Sequence, residues 1–96
     1  MAGKNKIAMG FILLNLRKRD TFSTLQFFYG RYENGVWRAR LASLTGAPEV
    51  IIRYRTATEL YRKLVRVLRK YGNVQGIWGN PAESAFIEHL QEELRS

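Results

Sequence analysis

Residues 22–44 read FSTLQFFYGRYENGVWRARLASL, and this stretch decides the fold. Asn34-Gly35 lies between two runs rich in aromatic and β-branched residues. Asn-Gly in that setting is the strongest short-range hairpin signal, because both turn residues must reach positive φ. A two-residue turn pairs Tyr32 with Trp37, Gly30 with Ala39 and Phe28 with Leu41 on one face of the hairpin. It pairs Arg31 with Arg38 and Tyr29 with Arg40 on the other.

Working outward from the hairpin, Ile7 to Arg17 is apolar at nearly every position, as a strand covered on both faces would be. On the other side Thr45-Gly46-Ala47-Pro48 makes a turn, and Glu49 to Arg55 reads as a fourth strand, with Arg53 beside Arg40 and Arg55 beside Arg38. Thr56 and Glu59 have the spacing of a capping box. Behind it Leu60, Leu64, Val67, Leu68 and Tyr71 recur at helical spacing, with Tyr61 and Val65 widening the stripe, and Gly72 is a C-terminal stop. Asn80-Pro81-Ala82-Glu83 opens a last helix, whose apolar stripe is Phe86, Ile87, Leu90 and Leu94.

The expected fold class is therefore α+β: a four-stranded antiparallel β-sheet (meander) followed by two C-terminal α-helices packed on one face. At 96 residues the chain is one domain. Its parts are a basic tail (1–6), the antiparallel sheet (7–55), a basic amphipathic helix (56–72) and an acidic helix (80–95).

Sixteen Lys and Arg against eight Asp and Glu leave a net charge of +8, which bears on partners rather than on fold. Residues 1–55 hold ten basic and three acidic side chains, and residues 56–72 hold five and one. From residue 73 onward the balance reverses to four acidic against Arg95 alone. The acidic last helix is either a solvated face or a contact for the basic helix, within or between protomers. The absence of cysteine excludes a disulfide framework, a thiolate zinc site and a cysteine nucleophile. The apolar run after Lys4 and Lys6 is too short to span a bilayer, and Arg17-Lys18-Arg19-Asp20 follows it without a small-residue cleavage pattern.

Arg31, Arg38, Arg40, Arg53 and Arg55 fall at the alternation phase opposite to the bulky apolar residues of their strands. A sheet with helices on its apolar face would present these arginines to solvent, with Tyr29 and Phe27 among them as stacking platforms. Like charges directly opposite in a sheet are destabilising, so the arrangement points to an anionic partner. Arg17, Lys18 and Arg19 at the tip between the first two strands, and Lys4 and Lys6 in the tail, extend the basic surface. The same face is expected to carry an apolar half, Ile12, Leu14, Leu25, Phe27, Leu44 and Ile51, large enough to imply a homodimer, face-to-face or edge-to-edge. Trp37 reads as an aromatic cross-strand core partner of Tyr32. Trp78, between glycines in the segment joining the helices, caps the core or stacks on a ligand.

Tyr29 to Leu68 resembles the three-stranded sheet plus helix of plant AP2-type domains and of the arm-binding domains of tyrosine recombinases. The matching residues are Gly35, Trp37-Arg38-Ala39-Arg40, and Tyr54 followed by Thr56 and Glu59. The resemblance implies a sheet lying in the DNA major groove, with Arg38, Arg40 and Trp37 in contact. The chain departs from that pattern in its very hydrophobic first strand and in the apolar Val50-Ile51-Ile52. In topology it is also similar to PC4-like and Whirly-like single-strand binders, which implies a dimer.

The expected function is nucleic-acid binding through the arginine- and aromatic-bearing sheet face, as a homodimer, with DNA, single-stranded or duplex, favoured over RNA. The alternative is a protein-interaction module (phage, plasmid or antitoxin-like) whose basic face binds an acidic protein partner. An enzyme is not expected. The single histidine, His89, lies beside an apolar helical stripe among glutamates, and there is no phosphate-cradling glycine loop and no metal-ligand spacing. A basic nuclease using Arg, Tyr and a carboxylate is the reading from that class. No catalytic residue, metal, cofactor, membrane contact or small-molecule substrate is assigned, and the expected location is intracellular, cytoplasmic or nucleoid-associated.

Overall fold

The computed structural model describes residues 9–44 and 48–96. The tail with Lys4 and Lys6, the expected start of the first strand at Ile7, and turn residues 45–47 lie outside them. The strands are β1 (Gly10–Lys18), β2 (Thr21–Glu33), β3 (Val36–Ser43) and β4 (Val50–Tyr54). They are followed by α1 (Ala57–Tyr71), β5 (Asn73–Gly79), a 3-10 turn at Pro81–Glu83, and α2 (Ser84–Arg95). The sheet is antiparallel throughout, in the order β4-β3-β2-β1-β5. The architecture is the expected sheet followed by two C-terminal helices, with five strands in place of four.

The fifth strand is the segment read from sequence as a connection between the helices. Its glycines, Gly76 and Gly79, are depleted from strands in general and mask the signal. What holds it is burial. Ile77 and Val74 pack against the core opposite Leu14 and Leu16 of β1.

Both helices cover one side of the sheet. Leu60, Leu64, Val65 and Leu68 of α1 and Phe86 and Leu90 of α2 close over Ile12, Leu14, Leu16, Leu25, Phe27, Leu41, Ile52 and Tyr54. The ends of α1 are as read from the sequence: Glu59 N–H donates to Thr56 Oγ1 at 3.1 Å, and the Glu59 carboxylate takes the Arg55 amide at 2.9 Å; the last helix instead opens as the 3-10 turn, where Asn80 makes no side-chain cap bond, and α2 begins at Ser84. Gly72 ends α1 at φ 137°, where its amide reaches the Leu68 carbonyl.

The hairpin has the expected turn, with Asn34 at φ 52° and Gly35 at φ 80°. Tyr32 pairs with Trp37 and Arg31 with Arg38, but the next pairs are Phe28 with Arg40 and Phe27 with Leu41. Tyr29 and Gly30 together oppose Ala39, which is a β-bulge, with Gly30 at φ 86°. The bulge reverses the facing of every β2 residue before it. A regular ladder would have left Leu25 and Phe27, with Ile12 and Leu14 beside them, on the uncovered side.

The energetic comparison favours the bulge decisively. Those four side chains are 0% exposed, and burial of each is worth roughly 1.5–3 kcal/mol. The bulge costs little, because glycine adopts positive φ freely and the Gly30 amide donates to the Tyr54 hydroxyl at 3.0 Å. The apolar half expected on the arginine face is thus the hydrophobic core. The face-to-face dimer it implied loses its basis.

Two substitutions test this account by urea unfolding. Gly30→Ala should lower stability by about 1–2 kcal/mol through its left-handed φ. Tyr54→Phe should lower it by about 1–3 kcal/mol by leaving the buried amide without an acceptor. Unchanged midpoints in both would contradict the bulge.

Candidate functional site

Among the described residues nothing covers the side of the sheet away from the helices, and its residues are set by the pairings just described. One row runs Arg31, Arg38, Arg53 across β2, β3 and β4. The next runs Phe11, Phe28, Arg40, Ile51 across β1 to β4. A third runs Trp78, Leu13, Gln26, Ala42 from β5 to β3. The face grades from guanidinium groups near the Asn34-Gly35 turn to aromatic and aliphatic groups toward β5.

The contacts on this face are specific. The Phe11 and Phe28 rings lie 4.7 Å apart between centroids, and the Arg40 guanidinium sits 4.5 Å from the Phe28 centroid. Glu33 bridges two arginines, at 2.8 Å to Arg38 and 3.4 Å to Arg31, and Arg40 meets Glu49 at 3.2 Å. These part-exposed ion pairs contribute about 0–1 kcal/mol each. Their main effect is to hold the arginines side by side despite like-charge repulsion. Four guanidinium groups against two carboxylates still leave the face positive. The Nε of Arg38 is buried and has no hydrogen-bond partner among the described residues. Between Phe28, Arg31, Glu33, Arg38, Arg40 and Ile51 the surface dips into a cleft of about 400 Å³.

Arg31, Arg38, Arg40 and Arg53 are brought together as expected, but in a shifted register: Arg53 stands beside Arg38, and Ile51 beside Arg40. Arg55 lies past the end of β4, exposed, with its amide committed to Glu59, so it is not part of the row. Arg17, Lys18 and Arg19 sit at the β1–β2 tip, where Arg17 Nε donates to the Arg19 carbonyl and the Arg17 guanidinium is 5.7 Å from the Phe22 centroid. That tip is at the opposite end of β2 from the arginine row, about 30 Å away at the usual rise per residue.

Phe27 and Tyr29 are corrections. The bulge turns both into the core, at 0% and 3% exposed, so neither can stack on a ligand. Tyr29 stacks on Phe86 at 4.0 Å and donates its hydroxyl to Glu83, whose other oxygen takes the Phe11 amide at 3.3 Å. It fastens the 3-10 turn to β1 and β2. Trp37, which the AP2-like resemblance placed on DNA, also faces the helix side, packed between Tyr32 and Tyr54.

The residues that sequence reading missed are Phe28, Phe11, Leu13 and Glu33. One signal marks the first three: an isolated glycine within a strand pattern, Gly30, indicates a bulge and hence a reversal of facing for the residues before it and their β1 partners. Trp78, 55% exposed, stands on the open face beside Leu13.

Elsewhere, the exposed His89 stacks on Tyr61 with ring centroids 5.5 Å apart. Among the described residues no group of three His, Cys, Asp or Glu could hold a metal ion. No helix among them is long and apolar enough to cross a membrane. Comparison with protein-family models, with curated proteins and with solved structures finds no match.

Burial is the main cause that raises the Tyr29, Tyr54 and Tyr61 phenols above their ordinary value near 10, and the bond to Glu83 adds to it at Tyr29. A folded value above the unfolded one contributes stability that is full below pH 10 and is lost as pH rises beyond it. Unfolding free energy should therefore fall with pH above about 10, and Tyr29→Phe should shallow that fall. Stability flat through this range would contradict the burial of these phenols.

Proposed function

We propose that the protein binds single-stranded nucleic acid across the uncovered sheet face. The observation that carries this reading is the adjacency of a guanidinium row (Arg31, Arg38, Arg53) to an aromatic row (Phe11, Phe28) with Arg40 at the seam. Guanidinium groups suit phosphates, bidentately and without regard to sequence. Aromatic rings that are only partly covered suit unstacked bases, which a duplex does not offer. A sheet face with both helices on its far side leaves room for a strand to cross both rows at once.

The roles divide by chemistry. Arg31, Arg38, Arg40 and Arg53 take the backbone, while Phe28 and Trp78 take bases. Glu33 and Glu49 hold the arginines until phosphate replaces them, an exchange of one oxyanion for another at low cost because the pairs are half-exposed. Nucleic acid on this face rests on a different aromatic set from the one expected from sequence, since Phe28 does what Phe27 and Tyr29 cannot.

Fluorescence anisotropy with labelled single-stranded DNA, single-stranded RNA and duplex DNA tests the reading. Single strands should bind with an affinity that falls steeply with salt. Replacing Arg38 and Arg40 together by alanine should flatten the slope of log affinity against log salt by about 1.4, from about 0.7 for each of two phosphate contacts. Phe28→Ala should weaken single-strand binding by about 1–3 kcal/mol. Binding of none of the three at low salt would overturn the proposal and favour the acidic-protein reading of the same face. Duplex binding indifferent to Phe28 would replace stacking with groove docking.

A further inference from the structure

The two edges of the sheet differ. At one edge, β4 carries Arg53, and Lys63 Nζ donates to the Arg53 carbonyl at 2.8 Å. Lysine and arginine at a strand edge discourage pairing with another chain. At the other edge, β5 (Asn73-Val74-Gln75-Gly76-Ile77-Trp78-Gly79) has no charged residue and no proline. Of the five strands among the described residues only β5 lacks a charged side chain. Its one irregularity is the register shift opposite Asn15 and Leu16, on the side that faces β1.

We infer that β5 is a self-association edge, and that two copies of this chain pair there antiparallel about a two-fold axis, joining their sheets into one. Three observations select a second copy over other occupants. A strand edge is self-complementary in antiparallel pairing, since each outward donor meets an acceptor of the same strand turned round. The chain has a net charge of +8, so two copies repel least where the contact itself is uncharged, as along β5. An acidic partner would be drawn instead to the arginine row or to Arg62, Arg66 and Arg69 on α1.

The pairing also places Trp78 of both copies on one continuous uncovered face, with the two arginine rows at its far ends. In this respect the inference extends the proposed single-strand site to a longer one that runs across both copies. The pairing itself is independent of nucleic acid and is tested without it.

Sedimentation equilibrium of the full chain across micromolar concentrations should give twice the 11.2 kDa chain mass. The variant carrying Asn73→Lys and Gln75→Lys, both exposed on β5, should return to a single chain with an unchanged far-ultraviolet circular dichroism spectrum. Should that variant fail to fold, hydrogen exchange on the unaltered chain decides. Amides of β5 not bonded to β1 should be protected at high concentration and lose protection on dilution. A wild-type monomer throughout the range, a folded double-lysine variant that still dimerises, or β5 exchange independent of concentration would each overturn the inference.

Discussion

The bulge at Tyr29-Gly30 is the constraint on which the rest of the molecule depends. β2 is thirteen residues long and serves two partners with different needs. Its end near the Asn34-Gly35 turn pairs with β3 and shares the arginine row. Its other end pairs with β1 and must bury Leu25 and Phe27 beside Leu14 and Ile12. A strand with strict two-residue alternation cannot present both sets correctly. One extra residue, supplied where a glycine takes positive φ and a tyrosine hydroxyl takes the spare amide, resolves the conflict.

Everything on the uncovered face follows from that shift. Because Phe27 turns inward, Phe28 turns outward and meets both Phe11 and Arg40. Because Tyr29 turns inward, it reaches Glu83 and ties the start of the last helical segment to the sheet. The face that results joins planar cations to planar rings on a rigid support. Positioning by regular elements is what lets a few such groups act together. The cations come with two carboxylates close by, so their mutual repulsion is partly offset while the face stays positive.

Much of this was legible in the sequence. The hairpin, α1 with its capping box and glycine stop, the stripe of α2 and the clustering of Arg31, Arg38 and Arg40 all follow from local rules: turn chemistry, helical period and alternation. Two things did not follow. β5 was hidden because its glycines weaken a strand pattern that only contact with Leu14 and Leu16 makes worthwhile. The facing of Leu25, Phe27 and Tyr29 was hidden because alternation was carried unbroken through Gly30, although the apolar residues of β1 and β2 supplied a reason for a break. In both cases burial overrode a local pattern, and in both a glycine marked the place.

The central claim is that ligand meets the sheet face rather than the basic helix, since Arg62, Arg66 and Arg69 on α1 form a second exposed cationic surface on the other side of the molecule. Nuclear magnetic resonance shift mapping during titration with a short single-stranded oligonucleotide separates the two most directly. The account expects the largest shifts at Leu13, Gln26, Phe28, Arg38, Arg40, Arg53 and the Trp78 indole, with α1 nearly silent. Shifts concentrated at Arg62, Arg66 and Arg69, with Phe28 and Trp78 unmoved, would contradict it.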